Sequence, residues 1–315
     1  ALAPLEPRRE PLRARIARHW GVDGEEVAFT RNTTESLHTC QLGLDFKPGD
    51  ELLTTDQDYP RMRAAFRQRE ARDGLRLVKI SIPVPCEDDD EIVRRFEAAI
   101  TPRTRMLLMC HMVNLTGQIL PVSRVAAMAR RHGVTIVVDG AHALAHFPFQ
   151  LSDVDCDAYG TSLHKWLFAP HGNGLLYIPR DRIANFWPLF PSDREPDDIR
   201  KFEEIGTHPA ANTLAVAESL TFHQMLGDER KAARLRYLRD LWIKPLLAAS
   251  DRFRLHTSLD PRYSCGIATL ELEGEASTEV ASWLLRNHRI LVVGINHDQF
   301  TGLRVSPSVY TTPEE

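Results

Sequence analysis

Lysine is scarce in this 315-residue chain: six lysines stand against thirty-three arginines. Lysine is therefore not the default cation, and a lysine among apolar neighbours needs a reason. Other absences narrow the field. No apolar run approaches the roughly 20 residues that cross a bilayer. Net charge is only −4, which speaks against nucleic acid or an anionic membrane as partner. The five cysteines, Cys40, Cys86, Cys110, Cys156 and Cys265, are scattered and form no Cys-x-x-Cys pair. That leaves no zinc pattern, no redox motif and no disulfide framework, so no metal is expected and a reducing cytoplasm is the expected setting. The opening "ALAPLEPRRE" has neither an initiator Met nor a signal pattern, which leaves a removed export segment open. No Gly-x-Gly-x-x-Gly or Walker loop follows a strand, which counts against a nucleotide-binding enzyme.

What is present is an alternation. Helical periodicity at 8–20, 33–44, 61–72, 89–100 and 123–133 is interleaved with strand-like runs at 26–30, 49–55, 75–82, 105–113 and 134–139. That pattern predicts an α/β unit built on a mostly parallel sheet covered on both faces. "GNGLLYI", 172–178, adds a strand announced by glycines. Residues 212–249 are helical, broken near Gly227. A strand at 265–274, a helix at 278–288 and strands at 290–294 and 302–308 complete a smaller α+β unit. The expected division is a large domain, 1–215, and a linking helix with a small domain, 216–315.

Four features fall at strand ends, where α/β folds place ligands. In "TRNTTESLH", Asn32 and Glu35 have capping-box spacing. Thr33 and Thr34 also put two hydroxyls at a helix N-terminus, which suits a phosphate. In "VVDGAHAL", Asp139 closes an apolar strand; the plain reading is a cap, the other an acid facing a ring nitrogen. His142 lies within reach of the same ligand. In "TSLHKWL", Lys165 follows Ser162 and His164. A lysine in apolar company commonly snorkels, but a desolvated lysine is also a nucleophile toward carbonyls, which arginine is not. In "LRVSPSVYTT", Arg304 is either a surface arginine or a clamp on a carboxylate. One cofactor explains all four: pyridoxal 5′-phosphate needs a lysine for its aldehyde, an acid for its ring nitrogen and an anion cradle for its phosphate. An amino-acid substrate then needs the arginine.

With "TRNTTESL", "VNLTGQILPV", "VVDGAHAL", "TSLHKWL", "FEEIGTHPAAN" and "LRVSPSVYTTPEE" in order, the chain resembles the class V aminotransferases among fold-type I pyridoxal-phosphate enzymes, in their isopenicillin N epimerase-like branch. The resemblance implies that Lys165 forms the internal aldimine and Asp139 pairs with the pyridine nitrogen. It implies Asn114 and His142 near the phenolic oxygen, and Thr33, Thr34, Ser162 and His164 on the phosphate. Tyr59 stands where the family stacks a ring on the cofactor. Thr207 would reach the phosphate of a partner in a homodimer, and Arg304 would take the substrate carboxylate. The family also carries a leading segment and a last helix that this sequence lacks.

The reaction stays open at this point. Loss of a Cα proton from the external aldimine leads to epimerisation, transamination or β-elimination. Epimerisation needs a second acid, for which Tyr59, His111 and His171 are candidates beside their ordinary structural readings. Cysteine desulfurases carry a cysteine shortly before the carboxylate-binding arginine. Here "VVGINHDQFTGLRV" has none, and Cys265 lies earlier. A non-catalytic binding protein on the same fold is the rival of another class; intact Lys165 and Asp139 argue against it.

Overall fold

The computed structural model describes residues 6–315. Its large unit alternates as the periodicity predicts: α1 (Glu6–His19), β1 (Val27–Thr30), α2 (Thr33–Gly43), β2 (Glu51–Thr55), α3 (Pro60–Asp73), β3 (Arg76–Ile80), α4 (Asp89–Ala99), β4 (Thr104–Cys110), α5 (Val122–Arg131), β5 (Thr135–Asp139), β6 (Ala158–Ser162) and β7 (Gly174–Tyr177). Sequence chemistry sets the helix ends. The Asn32 side chain accepts the Glu35 amide at the start of α2, and Asp88 does the same for Glu91 at α4. Pro60 opens α3, and Gly74, at φ +70°, ends it.

The seven strands lie in the order β1-β7-β6-β5-β4-β2-β3. Only β7 runs against the others. Central strands β4 and β5 are apolar on both faces because helices cover both, leaving two hydrophobic clusters, one on each side. All five parallel strands that matter for the site, β1, β2, β4, β5 and β6, therefore open at one edge of the sheet.

The small unit follows α6 (Ala210–Leu226) and α7 (Asp228–Ala249), which break at Gly227 as expected. Its strands are β8 (Phe253–Leu255), β9 (Ala268–Leu272), β10 (Val293–His297) and β11 (Phe300–Val305), with α8 (Ser277–His288) packed on them. They form an antiparallel sheet in the order β10-β11-β9-β8. The expected boundary at 215/216 falls inside α6.

Three expectations need correcting. The run "ILVVG" does not form its strand at 290–294; β10 starts at Val293, and Leu291 is 80% exposed. Apolar composition there does not mean burial. Strand β6, "AYGTS", is implied before Lys165 but not delimited by the sequence, since a glycine and two hydroxyls mask its period. Its residues are all buried between β5 and β7, which overrides propensity. β8, three residues long, was also missed.

Candidate active site

A cavity of about 400 Å³ opens at the C-terminal ends of these strands. It gathers Thr33, Thr34, Tyr59, Asn114, Asp139, His142, Ser162, His164, Lys165 and Arg304, drawn from six separate stretches of sequence. Of the expected site residues, only Thr207 lies elsewhere: it is exposed, in the loop before α6, and does not line this cavity.

Each side chain is placed by its element. Asp139 ends β5, 4% exposed, and its Oδ1 accepts the Ala141 amide at 2.9 Å. Burial pushes its carboxyl up to about 6, against the opposing pull of the Lys165 charge and the Ala141 amide. Across the floor, Cys110 ends β4 as the register partner of Asp139. Its thiol, raised by burial and the nearby Asp58, lies 3.1 Å from Asp58 Oδ1. Asp58 in turn accepts from Thr54 Oγ1, Thr55 N and Thr55 Oγ1, which fixes the turn that delivers Tyr59 to the cavity wall.

Lys165 is half-buried, and burial lowers its amine. Its Nζ lies 3.2 Å from His142 Nε2. Trp166 Nε1 donates to His142 Nδ1 at 3.3 Å. Burial also lowers His142 well below its ordinary value, so the ring is neutral with its hydrogen on Nε2. Burial beside this ring favours the uncharged, nucleophilic form of the lysine more than water does.

Thr33 Oγ1 and Thr33 N both meet Ser162 Oγ, at 2.7 and 2.9 Å, so α2 and β6 present adjoining hydroxyls at a helix N-terminus. Beside them His164 Nδ1 is buried without a partner. Asn114 Oδ1 and Arg304 Nε are buried and unpartnered too. Orphaned buried polar atoms cost roughly 1–3 kcal/mol each. An acceptor from Asn114 beside Arg304 Nε and His164 Nδ1 around one cavity fits a polar occupant, and the set suits pyridoxal phosphate.

Two of the candidate second acids, His111 and His171, do not line the cavity. His111 is buried against Phe147, Phe149 and Tyr159, is lowered to about 3 by burial, and does not line the cavity. His171 is exposed and stacks on His164 with centroids 5.0 Å apart. Trp166, Cys110 and His146 went unnoticed in the sequence. His146 stacks on Trp166, and its Nδ1 donates to the His142 carbonyl at 2.7 Å while Nε2 accepts the Gly266 amide. Trp166, next to the lysine, and Cys110, ending an apolar strand, carried a signal; His146 carried none.

Comparison with known proteins settles the kinship. The class-V aminotransferase profile matches residues 7–314. The chain belongs to the class-V aminotransferase family. It is 33% identical to an isopenicillin N epimerase of Streptomyces clavuligerus, across 96% of this chain and 80% of that protein. It is 30% identical to a cysteine desulfurase of Pectobacterium atrosepticum, across 100% of this chain and 80% of the other. Among solved structures, a cystine C–S lyase in complex with its product cysteine persulfide superposes with a TM-score of 0.86 at 23% identity, covering 99% of this chain and 84% of that one. The fold is that of fold-type I enzymes, and the cofactor is pyridoxal 5′-phosphate. Among the described residues no helix is long and apolar enough to cross a membrane.

Proposed function

We propose that this class-V chain is an epimerase-like enzyme that removes the Cα proton of an α-amino acid and returns a proton on the opposite face. Bound pyridoxal phosphate supplies an electron-accepting ring that acidifies Cα. In this reading Lys165 holds the aldehyde, Asp139 keeps a proton on the ring nitrogen, and Asn114 and His142 flank the phenolic oxygen. Thr33, Thr34, Ser162 and His164 hold the phosphate. Arg304 binds the substrate carboxylate, and the neutral Lys165 amine is the base at Cα.

One observation carries the choice of outcome. Lys165, after β6, and Tyr59, after β2, reach the same cavity from opposite ends of a floor made by Asp139 and Cys110. Of three candidate second acids, Tyr59 alone lines the cavity. The persulfide route of desulfurases finds no support at Cys265, which is fully buried, with the His146 and Ala232 carbonyls as its contacts.

Incubation with a panel of amino acids in deuterated water tests this. Expected are deuterium at Cα and inversion. Tyr59→Phe should slow inversion by about 100-fold while Cα exchange continues. Lys165→Ala should abolish both, along with the visible band that borohydride reduction fixes to this residue. Ammonia with pyruvate or a thiol would replace the reading by β-elimination. A cofactor amine form reacting with 2-oxo acids would replace it by transamination. No exchange with any amino acid would leave a binding protein.

The reading includes a homodimer, because Thr207 is exposed and off its own cavity, free to serve a partner's phosphate. A fully loaded monomer in sedimentation at micromolar concentration would remove this part.

A further inference from the structure

We infer that Thr257 and Thr269 are positioning residues: with Arg304 they form a three-rung clamp on consecutive carbonyls of the large unit's loop, aiming Arg304 at the substrate carboxylate. The inference rests on the reading of Arg304 above.

The rungs are successive. Arg304 Nη1 donates to Asn114 O at 3.0 Å, Thr269 Oγ1 to Leu115 O at 2.5 Å, and Thr257 Oγ1 to Thr116 O at 2.6 Å. All three donors come from the small unit and all three acceptors from the loop after β4. Arg304 and Thr269 are cross-strand partners on β11 and β9, so their side chains rise side by side. Thr257 Oγ1 also accepts the Thr269 amide at 2.9 Å, which ties the second rung to the third. Both threonines are buried, at 2% and 0% exposure, where an unmade hydrogen bond is costly.

The loop is shaped to be gripped. Gly117 sits at φ +73°, and a Cβ there would lie 2.3 Å from the Ile267 carbonyl oxygen. Only glycine lets the two backbones approach so closely. The Ile119 amide then donates to Tyr263 O at 2.8 Å, extending the seam.

The consequence concerns Arg304. With Nη1 committed to Asn114 O, the edge bearing Nε and Nη2 is left for a ligand, and Nε has no protein partner. That edge is one of the two geometries by which a guanidinium takes a carboxylate bidentately. The clamp also holds the Asn114 backbone while its Oδ1 stays unpartnered in the cavity. Letting the loop slip would misdirect Arg304 without touching Lys165 or the phosphate cradle.

Thr269→Val removes the rung at nearly constant volume, and Thr269→Ser restores it. In the holoenzyme, Thr269→Val should raise KM for an α-amino acid about five-fold, with kcat and the cofactor's visible band little changed. Thr269→Ser should return KM to the wild-type value. Amide hydrogen exchange at 114–118 should quicken in the valine variant alone. The matching carboxyl-free amine should show no KM difference between the variants. Equal KM changes for acid and amine, or faster loop exchange with an unmoved KM, would overturn the clamp's role. Arg304→Ala separates the two claims. If it raises KM for the acid while Thr269→Val does not, the clamp alone fails. If it leaves KM unchanged, the reading of Arg304 fails and the clamp falls with it.

Discussion

Two lysines in this molecule, one buried and one half-buried, face opposite fates. Lys231, on α7, is 2% exposed, and its Nζ donates to the Trp166 carbonyl and lies 3.4 Å from His223 Nδ1. It also sits 4.3 Å from the centre of the Phe168 ring. Beyond it, His223 Nε2 lies 2.7 Å from Asp228 Oδ1, and His19 Nε2 lies 3.4 Å from Asp228 Oδ2. Two imidazoles and a carboxylate in this arrangement are within reach of one metal ion. The Lys231 amine on Nδ1, however, fixes the His223 hydrogen on Nε2 and opposes a cation there. Lys165 has instead one side-chain contact, the His142 imidazole, and burial lowers its amine. Surroundings of Lys231 are closed off from the active-site cavity, with His223 Nε2 paired only ionically with Asp228; those of Lys165 end in unpartnered atoms of Asn114, His164 and Arg304 that line that cavity. Burial alone does not mark a functional lysine. Burial beside unmet polar groups that line a cavity does.

The largest test of this contrast is Asp139→Asn, which asks whether the site sacrifices stability for function. Asp139 is raised to about 6 in the folded chain, against an unfolded value of about 3.9. Between these values the folded chain holds a proton that the unfolded chain has released. Stability of cofactor-free protein therefore falls as pH rises through that window, by about 3 kcal/mol in total. Asparagine cannot titrate, so cofactor-free Asp139→Asn should lack this fall and exceed wild type by up to about 3 kcal/mol at pH 7. Urea unfolding between pH 4 and pH 7 measures it. Loaded with cofactor, the variant should lose turnover. Parallel pH profiles for both proteins would show that Asp139 bears no such cost, and the contrast with the satisfied cluster would collapse.

The two regions were unequally legible in the sequence. Lys165, Asp139, Thr33 and Arg304 each sit at a strand end or a helix start, so alternation and caps pointed to them. The structure brings them into one cavity because parallel strands share an open edge. What stayed hidden depends on contacts between distant segments. Nothing local says that Trp166 sets the His142 tautomer, or that His146 joins it to Gly266 across 120 positions. The Lys231 cluster joins α1, α6 and α7 at the same kind of distance. The bounds of β6 escaped because its burial comes from neighbouring strands, not from its own residues. The exposed "ILVVG" misled for the converse reason: apolar period without a surface to cover it.

Lys231→Met sharpens the contrast from the other side, with the smallest expected effect. Burial lowers Lys231 to about 7, against an unfolded value of about 10.4. Between these the unfolded chain holds a proton that the folded chain has released. Stability from this group is therefore fully present above about pH 10 and is lost as pH falls through 7. Methionine fills the stem's volume and cannot titrate, so this rise with pH should vanish in the variant. At pH 8 the Trp166 carbonyl loses its donor, which costs about 1–3 kcal/mol, partly offset because no amine need be buried. The variant should be about 1 kcal/mol less stable than wild type at pH 8, and the gap should narrow at pH 6, where wild type bears the cost of charging a buried amine. Turnover should stay within about two-fold, because Lys231 grips only the backbone of Trp166 and leaves its indole on His142. Thermal unfolding at the two pH values, with turnover alongside, reads all three. A collapse of turnover at unchanged stability would make Lys231 part of the working site, reached through Trp166, and the division between a satisfied and an unsatisfied lysine would no longer hold.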